Sequence, residues 1–288
     1  MRGDEDRKTE IKTAAGRHEF CDWIEFFSEF SRIVLVANSD TAEPEDLPDD
    51  VRDSTLFVYF NRVNRVLDTP TSDNTLLVTR SNQAGSELVY RGILSEMTAL
   101  LQKPGFRGIM NLRAVAFEHL QSESELGPSP AGTLDLAAYL RPLYPQDHTA
   151  STGFALALWL SEHVRNVEIS LTGFTGLRSA RWKVFHIHDW VFEQSVLQVL
   201  KTHKRLTFGG PAEADPYAAL RRHFPEIEEN DIILASIQVL SAQSEGTKKQ
   251  VDQLFSITSP LRAFYNTFKR LKPKTRKQRL LAARANST

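Results

Sequence analysis

The chain of 288 residues holds one cysteine, Cys21. It can therefore close no internal disulfide and build no multi-cysteine metal centre, a usage that fits a reducing cytoplasm. No apolar run approaches the roughly 20 residues that cross a bilayer. The opening stretch MRGDEDRKTE is charged where a secretion signal needs an apolar core. No G-x-G-x-x-G follows a strand-like run, which disfavours a conventional dinucleotide site and a Rossmann-type methyltransferase alike. A G-x-x-x-x-G-K-[ST] loop is also missing, so the chain is not a P-loop NTPase. Net charge is scarce: 35 Lys and Arg against 36 Asp and Glu leave −1, and 41% of the residues are hydrophobic. These are the proportions of an ordinary globular protein.

The near-neutral total hides a polarised distribution. From Leu261 the chain reads LRAFYNTFKRLKPKTRKQRLLAARANST, with nine Lys or Arg, no Asp or Glu, and apolar residues interleaved. Cations alternating with Phe, Tyr and Leu suit an anionic membrane surface through residues 261–284, at about 1 kcal/mol per basic residue near it. A solvated tail has the same composition. Nucleic acid is not expected as a partner, because no basic groove motif accompanies the tail.

Residues 1–31 read as a charged, mobile leader (1–17) followed by an amphipathic helix in HEFCDWIEFFSEFS, with apolar residues at 20, 23, 24, 27 and 30. Strands are expected in RIVLVANSD, STLFVYFNR, NTLLVTRSN, FRGIMNLR, VEISLTGF and RLTFGG, and helices in GSELVYRGILSEMTALLQK, LDLAAYLRPLY, STGFALALWLSEHV and the segment from His188 through SVLQVLKTHK. The strands are continuously apolar and alternate with helices. That is the pattern of an α/β fold: a Rossmann-like, mostly parallel sheet with helices on both faces. The expected organisation is a catalytic or binding domain over 32–210, a helical part of the same domain over 211–260, and the basic tail over 261–288.

Ligands of such sheets collect beyond the carboxyl ends of the strands. Asn38, Ser39, Asn61, Ser81, Asn82 and Thr172–Gly173 all stand at expected strand ends. Each is also an ordinary loop residue, and the shared edge is what suggests a polar site. Ser151, Thr152 and Gly153 open a helix, where free N–H groups attract a carboxylate or phosphate; a plain N-cap has the same sequence. The stretch FHIHDWVFEQSVL places His186, His188, Asp189 and Glu193 in an apolar run. His186 and His188 at i, i+2 would share one side of a strand, as in some zinc sites, yet no third histidine is nearby, so no metal is expected. Asp189 also reads as a helix N-cap, and Trp159, Trp182 and Trp190 as core or lid aromatics.

The block STGFALALWLSEHVRNVEISLTGFTGLRSARWKVFHIHDWVFEQSVL resembles the CMP-sugar-dependent transferases of the sialyltransferase type, with their relatives that transfer Kdo. In those enzymes a Ser/Thr-Gly helix start is followed by a strand ending in glycine, a loop, and a histidine heading an H-x4-E helix. RIVLVANSD is similar to their first strand and FVYFNR to their second, so the likeness runs over about residues 32–210. Two departures stand out: ANSD replaces a glycine-flanked loop, and Arg178, Arg181 and Lys183 occupy the loop where some members carry tyrosines.

The resemblance implies a sialyltransferase-like GT-A variant of the sheet and inverting transfer of a 2-ulosonic acid, sialic acid or Kdo. The donor is the CMP-sugar, the acceptor a hydroxyl of a surface glycan or glycolipid precursor, and no cofactor or metal is required. It implies His188 as general base, because an imidazole ionises near working pH. Glu193 would orient the helix or contact the cytidine side. Asn38 and Asn61 would hold the nucleotide and the leaving-phosphate side of the donor, Ser151, Thr152 and Gly153 would bind the sugar carboxylate or adjacent groups, Ser39 and Gly173 would be further donor contacts, and Arg178 or Arg181 would offset charge on departing CMP. Such an enzyme would be cytoplasmic, resting on the inner membrane through its tail. A non-catalytic sugar-nucleotide-binding or scaffold protein of the same fold is the alternative.

Overall fold

Short apolar segments become strands because the inner ones bury side chains on both sides. The computed structural model describes residues 12–39, 42, 47–80, 88–176 and 187–209, with isolated positions between 224 and 241. The strands are β1 (Arg32–Val36), β2 (Thr55–Phe60), β3 (Thr75–Thr79), β4 (Phe106–Arg113), β5 (Ala131–Asp135), β6 (Glu168–Thr172) and β7 (Thr207–Phe208). They form one sheet in the order β5-β4-β3-β2-β1-β6-β7, and every pairing is parallel. Among the described residues this is a Rossmann-like α/β fold.

Alternate residues supply the two faces. Ile33, Leu35, Leu56, Val58, Phe60, Leu76 and Val78 enter one core, and Val34, Val36, Phe57, Tyr59 and Leu77 enter the other. Burial on both sides makes the runs continuously apolar where a half-exposed strand would alternate. The first core is covered by α1 (Phe20–Phe27), α4 (Ala137–Leu140), α5 (Thr152–His163) and α6 (Trp190–Thr202). Met97 of α3 (Leu94–Ala99) enters the second, while α2 (Asp49–Asp53) links β1 to β2. Helix α5 buries Phe154, Ala155, Leu156, Ala157, Trp159 and Leu160, residues on every side of it. A helix apolar all round belongs in an interior.

Three expectations are corrected. The segment PAGTLDL, whose last three residues are expected to open the helix LDLAAYLRPLY, contains β5, in register with β4 from Ile109↔Ala131 to Arg113↔Asp135. Its glycine hid the strand, and that glycine is required. A Cβ on Gly132 would lie 2.5 Å from the carbonyl oxygens of Ala14 and Arg17. Residues 12–17 are accordingly no loose leader. Ala14 N donates to Arg107 O at 2.8 Å, Gly16 N to Ala131 O at 3.1 Å and Thr133 N to Arg17 O at 2.8 Å. Helix α1 is then fixed by the Trp23 indole, which donates to Thr133 O at 2.8 Å, and by burial of Trp23, Phe26 and Phe27. Each such side chain contributes about 2–3 kcal/mol. Third, of the long helix expected in GSELVYRGILSEMTALLQK the described residues form only α3, and residues 88–92 form turns.

The chain divides into a unit from Met1 to Pro211 and one from Ala212 to Thr288. The basic tail from Leu261, and nearly all of 211–260, lie outside the described residues. Among the described residues no helix is long and apolar enough to cross a membrane.

Candidate functional site

Strands β1 to β5 are laid down successively in one direction, and β6 then returns to the other side of β1. The order reverses between β1 and β6, and ligand crevices of open parallel sheets form at such a switch, beyond the carboxyl ends. Asparagine side chains tie the neighbouring ends together here. Asn38, after β1, donates its Nδ2 to Phe60 O of β2 at 2.8 Å. Asn61, after β2, accepts the backbone N–H of Arg80, after β3, on its Oδ1 at 3.0 Å. Within the sheet, Asn111 of β4 donates to Thr79 Oγ1 at 3.1 Å and to Gln121 Oε1 at 3.1 Å.

Asn61 takes a left-handed backbone, φ 45°, which asparagine tolerates better than other residues with a Cβ. Replacing it with Ala is expected to cost about 2 kcal/mol, from backbone strain and the lost bond to Arg80. Asn61→Gly removes the strain and should cost about half as much. Denaturant midpoints measure both, and equal losses would assign the whole effect to the side-chain bond.

Ser39 and Gly173 meet across the switch: a Cβ on Gly173, where φ is +76°, would come within 2.9 Å of Ser39 Oγ. Gly153 lies under the ring of Phe174, whose nearest atoms would be 2.8 Å from a Cβ built there. Ser151 is the N-cap of α5, its Oγ accepting from Phe154 N at 3.3 Å. Thr152 and Gly153 form the first turn of that helix, whose amides have no earlier carbonyl to reach.

Glu193 on α6 is buried and turned to the start of α5. Ser151 N donates to its Oε1 at 2.7 Å, Ser151 Oγ to its Oε2 at 2.6 Å and Tyr144 Oη to its Oε1 at 2.8 Å. Burial pushes its carboxyl above the ordinary range, opposed by the bonds from Ser151 and Tyr144 and by the charge of Arg80. These contacts are those of a helix-orienting group. Tyr144 also accepts Asp189 N at 3.0 Å, and its ring packs edge-on against Phe154 and Phe192, so one residue locks α5 to α6. Burial and the Glu193 carboxylate together raise its hydroxyl above its ordinary value, keeping it a donor.

His188 lies in the turn just before Asp189, the N-cap of α6, whose side chain accepts Phe192 N at 3.0 Å. Of the pair His186 and His188, only His188 is described; residues 187–189 form a turn and no strand, and His186 lies outside the described residues. The half-buried imidazole places Nδ1 2.5 Å from Thr149 O. A carbonyl only accepts, so Nδ1 carries the proton and the lone pair is on Nε2. Burial holds the ring below its ordinary pKa, with the Thr149 carbonyl acting in the opposite direction. The ring is therefore neutral at pH 7.

Two residues with no sequence signal for this site complete it. Arg80, after β3, and Glu118, after β4, form a buried ion pair with Nη2 2.7 Å from Oε1. Arg80 Nη1 donates to Ala150 O at 2.5 Å. A continuous path thus runs from Asn61 through Arg80 to Ala150, Thr149 and His188. A cavity of about 180 Å³ adjoins this segment, walled by Ala114, Val115, Leu140, Tyr144, His148 and Thr149 among others. Arg178 and Arg181 lie outside the described residues. Among the described residues, no group of three or more His, Cys, Asp or Glu could hold a metal ion.

The fold and this edge define a protein class only at the level of a Rossmann-like α/β domain with a histidine-bearing carboxyl edge. Comparisons with protein-family models, curated proteins and solved structures give no match to this chain.

Proposed function

We propose that the chain is an inverting glycosyltransferase with a sialyltransferase-like variant of the parallel sheet and a helical C-terminal region. It moves a 2-ulosonic acid, sialic acid or Kdo, from a CMP donor to a hydroxyl of a surface glycan or lipid-linked precursor. The observation that carries this reading is the contact of His188 Nδ1 with Thr149 O. It favours a neutral imidazole with a basic Nε2 on the edge that also bears Asn38, Asn61 and the start of α5. In the transfer, Nε2 takes the proton of the acceptor hydroxyl as its oxygen bonds to the anomeric carbon from the side opposite the leaving group. The bond from that carbon to the phosphate oxygen breaks, and CMP departs with the electron pair.

The amides of Thr152 and Gly153 suit the sugar carboxylate, since a helix N-terminus favours an anion by about 0.3–1 kcal/mol. Asn38 and Ser39 serve the nucleotide. Arg178 or Arg181 offsets the phosphate charge, in place of a metal. The cavity beside Thr149 is small for a whole oligosaccharide and suits one ring-sized group of the acceptor. Residues 261–284, rich in Lys and Arg, keep the enzyme at the cytoplasmic face of the inner membrane, where lipid-linked acceptors are found.

Incubation with CMP-sialic acid and CMP-Kdo separately, with CMP release followed in each, tests the reaction. Release from one donor, stimulated by acceptor, is the expected result. CMP binding by calorimetry without release from either donor would instead assign a non-catalytic sugar-nucleotide-binding protein.

A further inference from the structure

We infer that Arg80 and Glu118 are positioning residues for the His188 imidazole, acting through the carbonyls of Thr149 and Ala150; this rests on His188 as the base. Glu118 is fixed first. Its Oε2 accepts the backbone N–H groups of Ala114 at 3.0 Å and Val115 at 3.3 Å, in the turn that leaves β4. Its Oε1 takes Arg80 Nε at 2.7 Å and lies 2.7 Å from Nη2. The guanidinium is rigid and planar, so fixing Nε and Nη2 also fixes Nη1, which donates to Ala150 O at 2.5 Å. The Arg80 backbone is held by Asn61 at the same time.

The next carbonyl toward the N-terminus, Thr149 O, is the one bonded to His188 Nδ1. Thr149 N in turn donates to Ile187 O at 2.7 Å, gripping the residue before His188. The Arg80–Glu118 pair thus sets the peptide that holds the ring and the residue that carries it. A buried pair of this kind contributes little net stability, because desolvation of both charges offsets their attraction. Its geometric consequence is the larger one. A base displaced by about 1 Å loses on the order of a hundredfold in rate.

Among the described residues, the charged and titratable groups acting on the ring are Arg80 at the end of β3, Glu118 after β4 and His148 in the segment before α5. Arg80 and Glu118 act on it in opposite directions, so in the intact pair each opposes the other. Removing one member exposes the other. Glu118→Gln leaves the Arg80 cation facing His188 and should lower its titration midpoint. Arg80→Met leaves the Glu118 carboxylate and should raise it. These shifts report the charge left beside the ring, and the kcat of a variant that keeps the charge but loses the bond to Ala150 O reports the positioning.

The test is the titration of the His188 ring by NMR in the full-length protein, read beside kcat and KM for CMP release. Expected are midpoint shifts of opposite sign in Glu118→Gln and Arg80→Met. In Arg80→Met, kcat should fall by about 10- to 100-fold while KM for the donor stays within about threefold. If Arg80→Met does not fold, Arg80→Lys keeps the cation against Glu118 but cannot also reach Ala150 O. There kcat should fall with the midpoint little changed. Unmoved midpoints in both single variants with wild-type kcat would overturn the inference, as would full kcat in Arg80→Lys. If the wild type releases CMP from neither donor, the transferase reading fails, while opposite midpoint shifts still uphold the coupling of the pair to His188.

Discussion

His188→Ala is expected to reduce kcat for CMP release by about 10²- to 10⁴-fold, the range a positioned general base supplies. The variant should remain folded, because the ring sits at a half-buried site, where its bond to Thr149 O is worth about 1 kcal/mol and its edge contact with Trp190 adds to that. CMP binding should persist, since the proposed nucleotide contacts at Asn38 and Ser39 are untouched. The pH profile gives a second reading of the same group. The base works only when deprotonated, and burial holds His188 below its ordinary pKa of 6.5. Activity should thus be full at pH 7 and fall on an acidic limb below pH 6.5. The sign for stability agrees. The unfolded chain protonates near 6.5 before the folded one does, so this ring contributes a loss of stability as pH drops from 6.5 through the folded value. Wild-type kcat in His188→Ala would remove it from the chemistry.

Glu193→Ala should produce the largest loss of stability of any single substitution at the site, about 3–5 kcal/mol. Three donors lose their acceptor together: Ser151 N, Ser151 Oγ and Tyr144 Oη. Each orphaned buried group costs about 1–3 kcal/mol, and part is recovered as water enters. For a domain of this size the melting temperature should fall by about 10 °C. Glu193→Gln retains the shape and one oxygen acceptor, and should lose far less. The carboxyl is raised by burial, so its contribution is full below the unfolded value near 4.5 and is lost as pH rises through the folded one. The margin of wild type over Glu193→Gln should therefore widen as pH falls. A calorimetric melt of both variants at pH 5 and pH 7.5 decides it. Equal melting temperatures for Ala and Gln would mean that these bonds carry no weight.

The sheet was legible where continuous burial made five- or six-residue apolar runs, as in RIVLV and TLFVYF, and the asparagines after them marked its carboxyl edge. β5 was hidden because Gly132 and Thr133 look like loop residues, and only the crossing of Ala14 and Arg17 explains the glycine. The Ser151 and Asp189 caps were readable because capping is local chemistry. For Glu193 the resemblance offered a helix-orienting role, but its burial and its partners were not readable. Its partners Tyr144 and Ser151 are 49 and 42 residues away, and no local pattern distinguishes a buried carboxylate from an exposed one. Arg80 and Glu118 were missed for the same reason. An arginine closing TLLVTR looks like a solvated strand end, and its acidic partner is 38 residues on.

The place of β1 has a consequence for how the chain is made. Its two neighbours come from opposite ends of the domain: β2 follows within about 20 residues, whereas Arg32 meets Glu168 across 136 positions. During synthesis β1 can pair on one side early, but its other edge stays open until β6 has left the ribosome. The interval exposes an apolar strand flank to other nascent chains. The pairing at which the strand order reverses is thus one of high sequence separation, and pairings so distant along the chain retard folding.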